Sequence, residues 1–396
     1  MIRGRFLYFA LGCIPACGAG WAQVGVQFCN TFTLGTTATD QHGETFSVQG
    51  LSALAFLGES PPGVAHFIAA MDNSNKVVFI DVMTDRDGCI TAASIVRGLS
   101  LSVSMDYEGI AFFGGRLILA EEGTPALHEF DPSTGQRIAV YTAPPVFASR
   151  RANFGFESLA GDDTLGLWTA NEEALTPDGP VSSPTTGTVV RLLRYAPSGG
   201  GFVPMEQYAY RCERMHGAAI SGGRSGVTDL LLVPRASGDP VLLVLERSFA
   251  LNLSGLFENR LFTVSFSGAT DVRDVPGLIG QVFVPAAKAH VWSGRLNANM
   301  EGIALGRSLG FGRRSLVGIV DDGDPISVNM LVGFSLSYSA CIADYNEDGG
   351  VDGEDVSAFF ASWEAGDDAA DANEDGGLDG ADVQWFFERW ESGGCE

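Results

Sequence analysis

Three stretches decide how this chain reads: DYEGIAF at residues 106–112, NFGFESLA at 153–160 and NMEGIALG at 299–306. Each runs aromatic or Met, Glu, small, aliphatic, Ala. Each is followed by an apolar strand-like run ending in paired acids: LILAEE to Glu121 and Glu122, LWTANEE to Glu172 and Glu173, LVGIVDD to Asp321 and Asp322. Weaker copies fill the gaps. GLSALAF at 50–56 precedes FIAAMDN with Asp72, and HGAAI at 216–220 precedes LLVLER with Glu246 and Arg247. Units of short strands broken by Gly, Pro, Asp and Ser, recurring every ~50 to 80 residues, point to four-stranded blades with insertions. The expectation is an all-β propeller of six blades over residues 23–340, with five or seven as alternatives, its acids gathered at one end of a central channel.

Composition agrees. The chain has 396 residues, 51 of them glycine, with 45% hydrophobic and 18% charged residues, a mix that favours strands and tight turns. Its net charge of −24 excludes a basic phosphate-tracking surface, so no nucleic-acid partner is expected. Cations are the partners such a charge selects.

The acids are also unevenly placed. Residues 341–396 hold ten Asp, seven Glu and one Arg, and within them DYNEDGGVDGED (344–355) and DANEDGGLDGAD (371–382) repeat one twelve-residue pattern. Oxygen ligands fall at positions 1, 3, 5, 9 and 12: Asp344, Asn346, Asp348, Asp352 and Asp355, then Asp371, Asn373, Asp375, Asp379 and Asp382. Gly349 and Gly376 stand at the sharp turn, and Gly350 and Gly377 offer the position-7 carbonyl. Calcium takes such a cage of hard oxygens, so two Ca2+ ions are expected here. Val351 and Leu378, at position 8, fit a short strand pairing the two loops. The stretches VSAFFASW and VQWFFERW that follow read as helices whose aromatics form a small shared core.

Residues 1–22 read as an export signal: Arg3 and Arg5, an apolar stretch, then Gly20 and Ala22 before a cut at Gln23. The apolar stretch is too short to span a bilayer, so a secreted or extracytoplasmic protein with no membrane span is expected. Of the five cysteines left, Cys341 with Cys395 would staple the acidic segment; the sequence leaves the pairing of Cys29, Cys89 and Cys212 open, with Cys29–Cys89 as one plausible bridge and Cys212 then the odd thiol.

Two resemblances follow. The paired loops and helices of residues 341–396 resemble a dockerin, the calcium-dependent module that attaches secreted bacterial enzymes to cohesin domains; the flanking cysteines are similar to a variant at the C-terminus of exported proteins. The resemblance implies a cohesin-like or cell-surface anchoring partner. Loop positions 10 and 11, often hydroxyl residues in cellulosomal dockerins, are Gly353 and Glu354, then Gly380 and Ala381 here.

DYEGIAF, LILAEEG, NFGFESLA, LWTANEEAL, LLVLERSF, NMEGIALG and GIVDDGD together resemble the phytase-like, or esterase-like-of-phytase, family of secreted propellers. That resemblance implies hydrolysis of phosphoesters or other esters by the recurring acids. Carried onto this chain, the candidates are Glu108, Glu122, Asn153, Glu157, Glu173, Glu246, Arg247, Glu301 and Asp322. Calcium beyond the two loop ions is admitted in the channel, where it would neutralise a small phosphorylated or ester substrate while one Glu serves as base. The alternative is a non-catalytic, ligand-binding propeller in an extracellular assembly.

Other chemistry has little support. GRSLG at 306–310 matches G-x-S-x-G, yet RRSLVGIV after it reads as a strand where a nucleophile elbow needs a helix. No HExxH pair, Walker loop or dinucleotide fingerprint is present.

Overall fold

The computed structural model describes residues 24–396 apart from 221, 236–238, 253–254, 297, 311, 324–327, 339–340, 342, 347–349, 374 and 393–396. Residues 1–22, expected to be an export signal, lie outside the described residues. Five four-stranded antiparallel sheets follow one another along the chain. Their innermost strands are Leu51–Glu59, Tyr107–Phe113, Ala160–Asp162, Arg224–Val233 and Met300–Gly310, which define blades 1 to 5.

The strand Val24–Thr33 closes the ring. It pairs antiparallel with Met330–Tyr338 as the outermost strand of blade 5, so the N-terminal segment completes the last blade. Cys29, on that strand, is disulfide-bonded to Cys89 of blade 1. This bridge ties the closing strand across the seam. Cys212 is free and buried, and burial pushes its thiol well above the ordinary range. Cys341 is disulfide-bonded; Cys395 lies outside the described residues.

Alternation explains the continuous apolar runs. Successive strand residues point to opposite faces, and each blade is covered on both faces. In Arg116–Glu121, Leu117 and Leu119 pack between blades 1 and 2, while Ile118 and Ala120 pack between blades 2 and 3. Five such inter-blade cores carry the propeller. Each fully buried leucine contributes roughly 1.5–3 kcal/mol.

The blade count corrects the expected six. Residues are spent on connections: 171–188 carries only an isolated bridge and 143–159 only a short 3-10 turn and that bridge's partner, while the outer strand Ile90–Met105 alone takes 16 residues. HGAAI also shifts role. It lies in a loop, and the fourth copy of the repeat is VTDLLLV on the innermost strand Arg224–Val233. Ser308 sits within the strand Met300–Gly310, and Arg313–Val320 follows as a strand.

Past the propeller stand two α-helices, α1 (Gly353–Ala365) and α2 (Gly380–Glu391). Each starts in a capping box, Asp352 with Asp355 and Asp379 with Asp382, which satisfies the first free amides of the helix. Their aromatics form one core: Phe359 and Phe386 are fully buried and stack at 4.3 Å. Trp363 Nε1 donates to the Asp379 carbonyl at 3.3 Å and Trp390 Nε1 to the Asp352 carbonyl at 3.1 Å, each helix closing on the other's cap. Val351 and Leu378 lie outside any strand, Val351 exposed and Leu378 against the aromatic core.

This segment docks on the propeller. Arg307 Nη1 meets both Asp367 carboxylate oxygens, at 2.7 and 2.8 Å. Arg86 stands 3.6 Å from Asp371.

Candidate functional site at the channel mouth

A local irregularity aims the glutamates. The ladder between the first two strands slips by one residue between Leu51 and Ala53, Tyr107 and Gly109, Val227 and Asp229, and Met300 and Gly302. The extra residue at such a bulge leaves the ladder and turns its side chain. Those residues are Ser52, Glu108, Thr228 and Glu301. In blade 3 a single bridge, Phe156 to Asn171, precedes Glu157.

Glycine after Glu has its own cause. A Cβ on Gly109 would lie 2.6 Å from the Ser158 carbonyl carbon, and one on Gly302 would lie 2.8 Å from Ala53 Cα. The EG motif therefore turns Glu into the channel and lets the next blade's backbone approach. Ser52 and Thr228 use the same position for contacts between blades, donating to the Tyr107 carbonyl at 2.7 Å and the Met300 carbonyl at 3.3 Å.

All five blades contribute to one polar pocket of about 300 Å3 at this end of the channel. Glu108, Glu122, Asn153, Glu157, Arg247 and Glu301 all line it. Glu173, Glu246 and Asp322 do not. Glu173 is buried and accepts from Ser182 Oγ at 3.0 Å. Glu246 is fully buried and accepts from Tyr210 Oη at 2.7 Å and Lys288 Nζ at 2.6 Å. Asp322 accepts from the Gly50 amide at 2.7 Å beside a neighbouring groove of about 670 Å3.

In two of these pairs the other acid faces the mouth: Glu172 and Asp321 line the pocket. In Glu246–Arg247 the arginine takes that place. Only Glu246 and Arg247 lie within a strand, where alternation sends one to the axis and the other away; the other pairs fall at or just past the end of their strands. Asp72, Asn73, Asp106, Arg224, Phe249, Phe257 and Asn299 complete the lining. Asp106 and Asn299 could have been found by aligning DYEG with NMEG, since each stands two residues before its Glu.

The pocket has two electrostatic halves. On one side Arg247 donates to Glu172 Oε1 at 2.6 Å, to Asn299 Oδ1 at 2.5 Å and to Glu301. Burial would lower its pKa, but Glu172, Glu301 and Glu157 outweigh that and raise it. Its Nε is buried without a hydrogen-bond partner.

On the other side carboxylates gather without a cation among the described residues. Ligand oxygens of Asp72, Asp106 and Glu108 lie within 4.8 Å of one another. Burial first, and neighbouring carboxylates second, push Glu108 and Glu157 well above the usual range. Burial also raises Asp72 to about 6, Glu122 to about 7 and Glu301 to about 8. Hard oxygens crowded this closely suit a hard divalent cation such as calcium, which Asp72, Asp106 and Glu108 could hold.

A pH dependence follows. Carboxyls whose folded pKa exceeds the unfolded value bind more protons when folded, so stability falls as pH rises through that interval. Without divalent cations the melting temperature should fall between pH ~4.5 and ~8, and calcium should reduce the fall. Denaturation curves across that range, with and without chelator, check it.

The second twelve-residue loop curls its carboxylates inward. Asp371 Oδ1 accepts from the Asp375 amide at 3.1 Å and Oδ2 from the Gly376 amide at 2.9 Å. Asn373 Oδ1 accepts from Asp375 at 2.9 Å, and Asp382 accepts from the Asn373 and Asp379 amides. Gly376 takes the left-handed turn at φ +88°. In the first loop Asp355 accepts equivalently from Asn346 and Asp352. Asp344 and Gly350 are described; Asp348 and Gly349 lie outside the described residues. The all-oxygen donor set fits calcium.

A five-bladed propeller with a carboxylate-rich channel mouth is the class that fold and site define. The chain belongs to the phytase-like family: the family model, described as esterase-like activity of phytase, matches residues 47–324. No curated protein matches the chain.

Similar solved structures include a PQQ-bound aldose sugar dehydrogenase from Streptomyces coelicolor, with 11% identity over 81% of this chain and 100% of that one, TM-score 0.34. A luciferin-regenerating enzyme has 11% identity over 73% and 92%, TM-score 0.30. The polycomb repressive complex 2 of Chaetomium thermophilum has 12% identity over 77% and 55%, TM-score 0.31. The chain spans little more than half of the polycomb chains it matches. At these scores nothing of their chemistry transfers.

Proposed function

We propose that this protein is an exported hydrolase of phosphoesters or other esters, working at the channel mouth with a divalent cation and attached through a calcium-binding, dockerin-like C-terminal segment. One observation carries the reading: Asp72, Asp106, Glu108, Glu122 and Glu157 converge with no ion pair of their own among the described residues, opposite Arg247. Calcium, when bound there, supplies charge neutralisation and polarises an ester or phosphoryl oxygen.

The chain's own residues do the rest. Arg247 offers its positive charge to an anionic substrate oxygen, while Glu172 and Glu301 hold its guanidinium in place. Glu157, its pKa raised, takes a proton from water as that water attacks and passes it to the leaving oxygen as the bond to that oxygen breaks, so the alcohol departs neutral. The groove beside Asp322 shares Asp72 and Asn73 with the pocket and gives the rest of the substrate room.

Export is supported by the Cys29–Cys89 disulfide; no helix among the described residues is long and apolar enough to cross a membrane. For the C-terminal segment, a cohesin-like or cell-surface partner remains the proposed attachment. A second reading, a binding propeller without catalysis, draws on one observation: the terminal nitrogens of Arg247 are taken by Glu172, Asn299 and Glu301.

Hydrolysis of phosphomonoester, phosphodiester and carboxyl-ester substrates, with calcium and with chelator, tests the proposal. Calcium-dependent turnover should fall at least about a hundredfold in Glu157→Gln. Absence of turnover by the folded protein on every substrate would leave the binding propeller.

A further inference from the structure

The hairpin that delivers Glu122 to the channel turns its neighbour Glu121 toward a different cavity. This cavity, about 690 Å3, lies against blade 2 and the 3-10 turn Pro145–Ser149. Pro125, Pro144, Phe147 and Val140 give it apolar walls, and Arg137 and Arg150 bring two guanidiniums. Among the described residues neither arginine has a carboxylate within ion-pair distance: Arg150 donates only to the Gly123 and Arg151 carbonyls, and the exposed Arg137 side chain has no hydrogen bond.

His128 makes this more than a crevice. It lines the cavity yet is 3% exposed. Its Nδ1 is 3.1 Å from Tyr107 Oη, and no other hydrogen bond reaches the ring among the described residues. Burial first, then Arg137, lowers its pKa to about 4, so the ring is neutral at physiological pH. Where Tyr107 Oη donates to Nδ1, the proton sits on Nε2, which has no hydrogen-bond partner among the described residues. Glu121 is the lining's one carboxylate; its Oε1 accepts from the Thr124 amide at 2.7 Å, and the two guanidiniums outnumber it.

We infer that this cavity is a second ligand site, separate from the channel, that takes a small organic monocarboxylate. The carboxylate meets Arg137 and the Nε2–H of His128, and an apolar body lies against Phe147 and the prolines. An exposed guanidinium without a carboxylate partner, a ring N–H at the cavity wall and apolar walls together select an anion with a hydrophobic body.

The test titrates the full exported chain with benzoate, benzyl alcohol and inorganic phosphate, followed by ligand-observed NMR. Benzoate should bind saturably, with benzyl alcohol and phosphate roughly tenfold weaker or worse. Arg137→Gln, at an exposed side chain, should weaken benzoate roughly tenfold, and Val140→Glu should abolish binding by placing a carboxylate in the cavity. Glu108→Gln, at the channel mouth, should leave benzoate unaffected, so this site stands or falls apart from the hydrolase reading. Equal binding of benzyl alcohol or phosphate, no saturable benzoate binding, or full benzoate affinity in folded Arg137→Gln would overturn it.

Discussion

Arg247→Leu should cost the propeller about 3–5 kcal/mol at neutral pH, the usual cost of removing one partner from a buried ion pair. Arg247 is 8% exposed and answers Glu172 and Glu301 together, so its loss leaves both carboxylates against an already acidic cluster. The chemistry of that cost is specific. Adding Glu172→Gln and Glu301→Gln to Arg247→Leu should recover much of it, because the uncompensated charges leave with the arginine. Calcium should also stabilise Arg247→Leu more than the parent, since the variant offers more unpaired carboxylate. Urea denaturation of the three proteins decides this; a cost below ~1 kcal/mol for Arg247→Leu alone would mean the pocket is wet and the pairing weak.

Opening the Cys29–Cys89 bridge should have a comparable effect. The bridge joins residues 60 apart, and the loop-entropy model gives on the order of 4 kcal/mol for such a closure. Its position adds a specific expectation. It holds the closing strand Val24–Thr33 to blade 1, so Cys29→Ser with Cys89→Ser should first expose amides of Val24–Thr33 and of its partner Met330–Tyr338 to hydrogen exchange. The melting temperature should fall by roughly 10 °C. Unchanged protection along that strand pair would show that the ladder alone closes the ring.

The blade repeat was legible because the EG motif serves two needs at once, a bulged Glu and a close approach between blades. Where only one need remained the signal faded. Ser52 and Thr228 occupy the same bulge without an acid, and Asp229 stands where Gly109 and Gly302 stand in other blades, its carboxylate accepting from the Ile303 amide at 2.7 Å. Blade number was not legible, because loop length adds to the chain without adding a strand.

The acids were legible as pairs and not as individuals. Glu122 faces the axis but so do Glu172 and Asp321, so the choice within a pair turns on where each strand ends and how the chain leaves it. A shift of one residue exchanges channel for blade interior. Asp106 carries no repeat signal of its own beyond its place before Glu108. The C-terminal helices were readable from their aromatic spacing, while their first turns were hidden because the capping acids Asp352 and Asp379 read as calcium ligands.

Calcium stoichiometry tests the central claim most directly. Isothermal titration of the full chain should show at least one more calcium per molecule than Glu108→Gln/Glu157→Gln, with the C-terminal loops filling equally in both. Equal stoichiometry and affinity in the two proteins would contradict a cation at the channel mouth, and with it the hydrolytic site built around one.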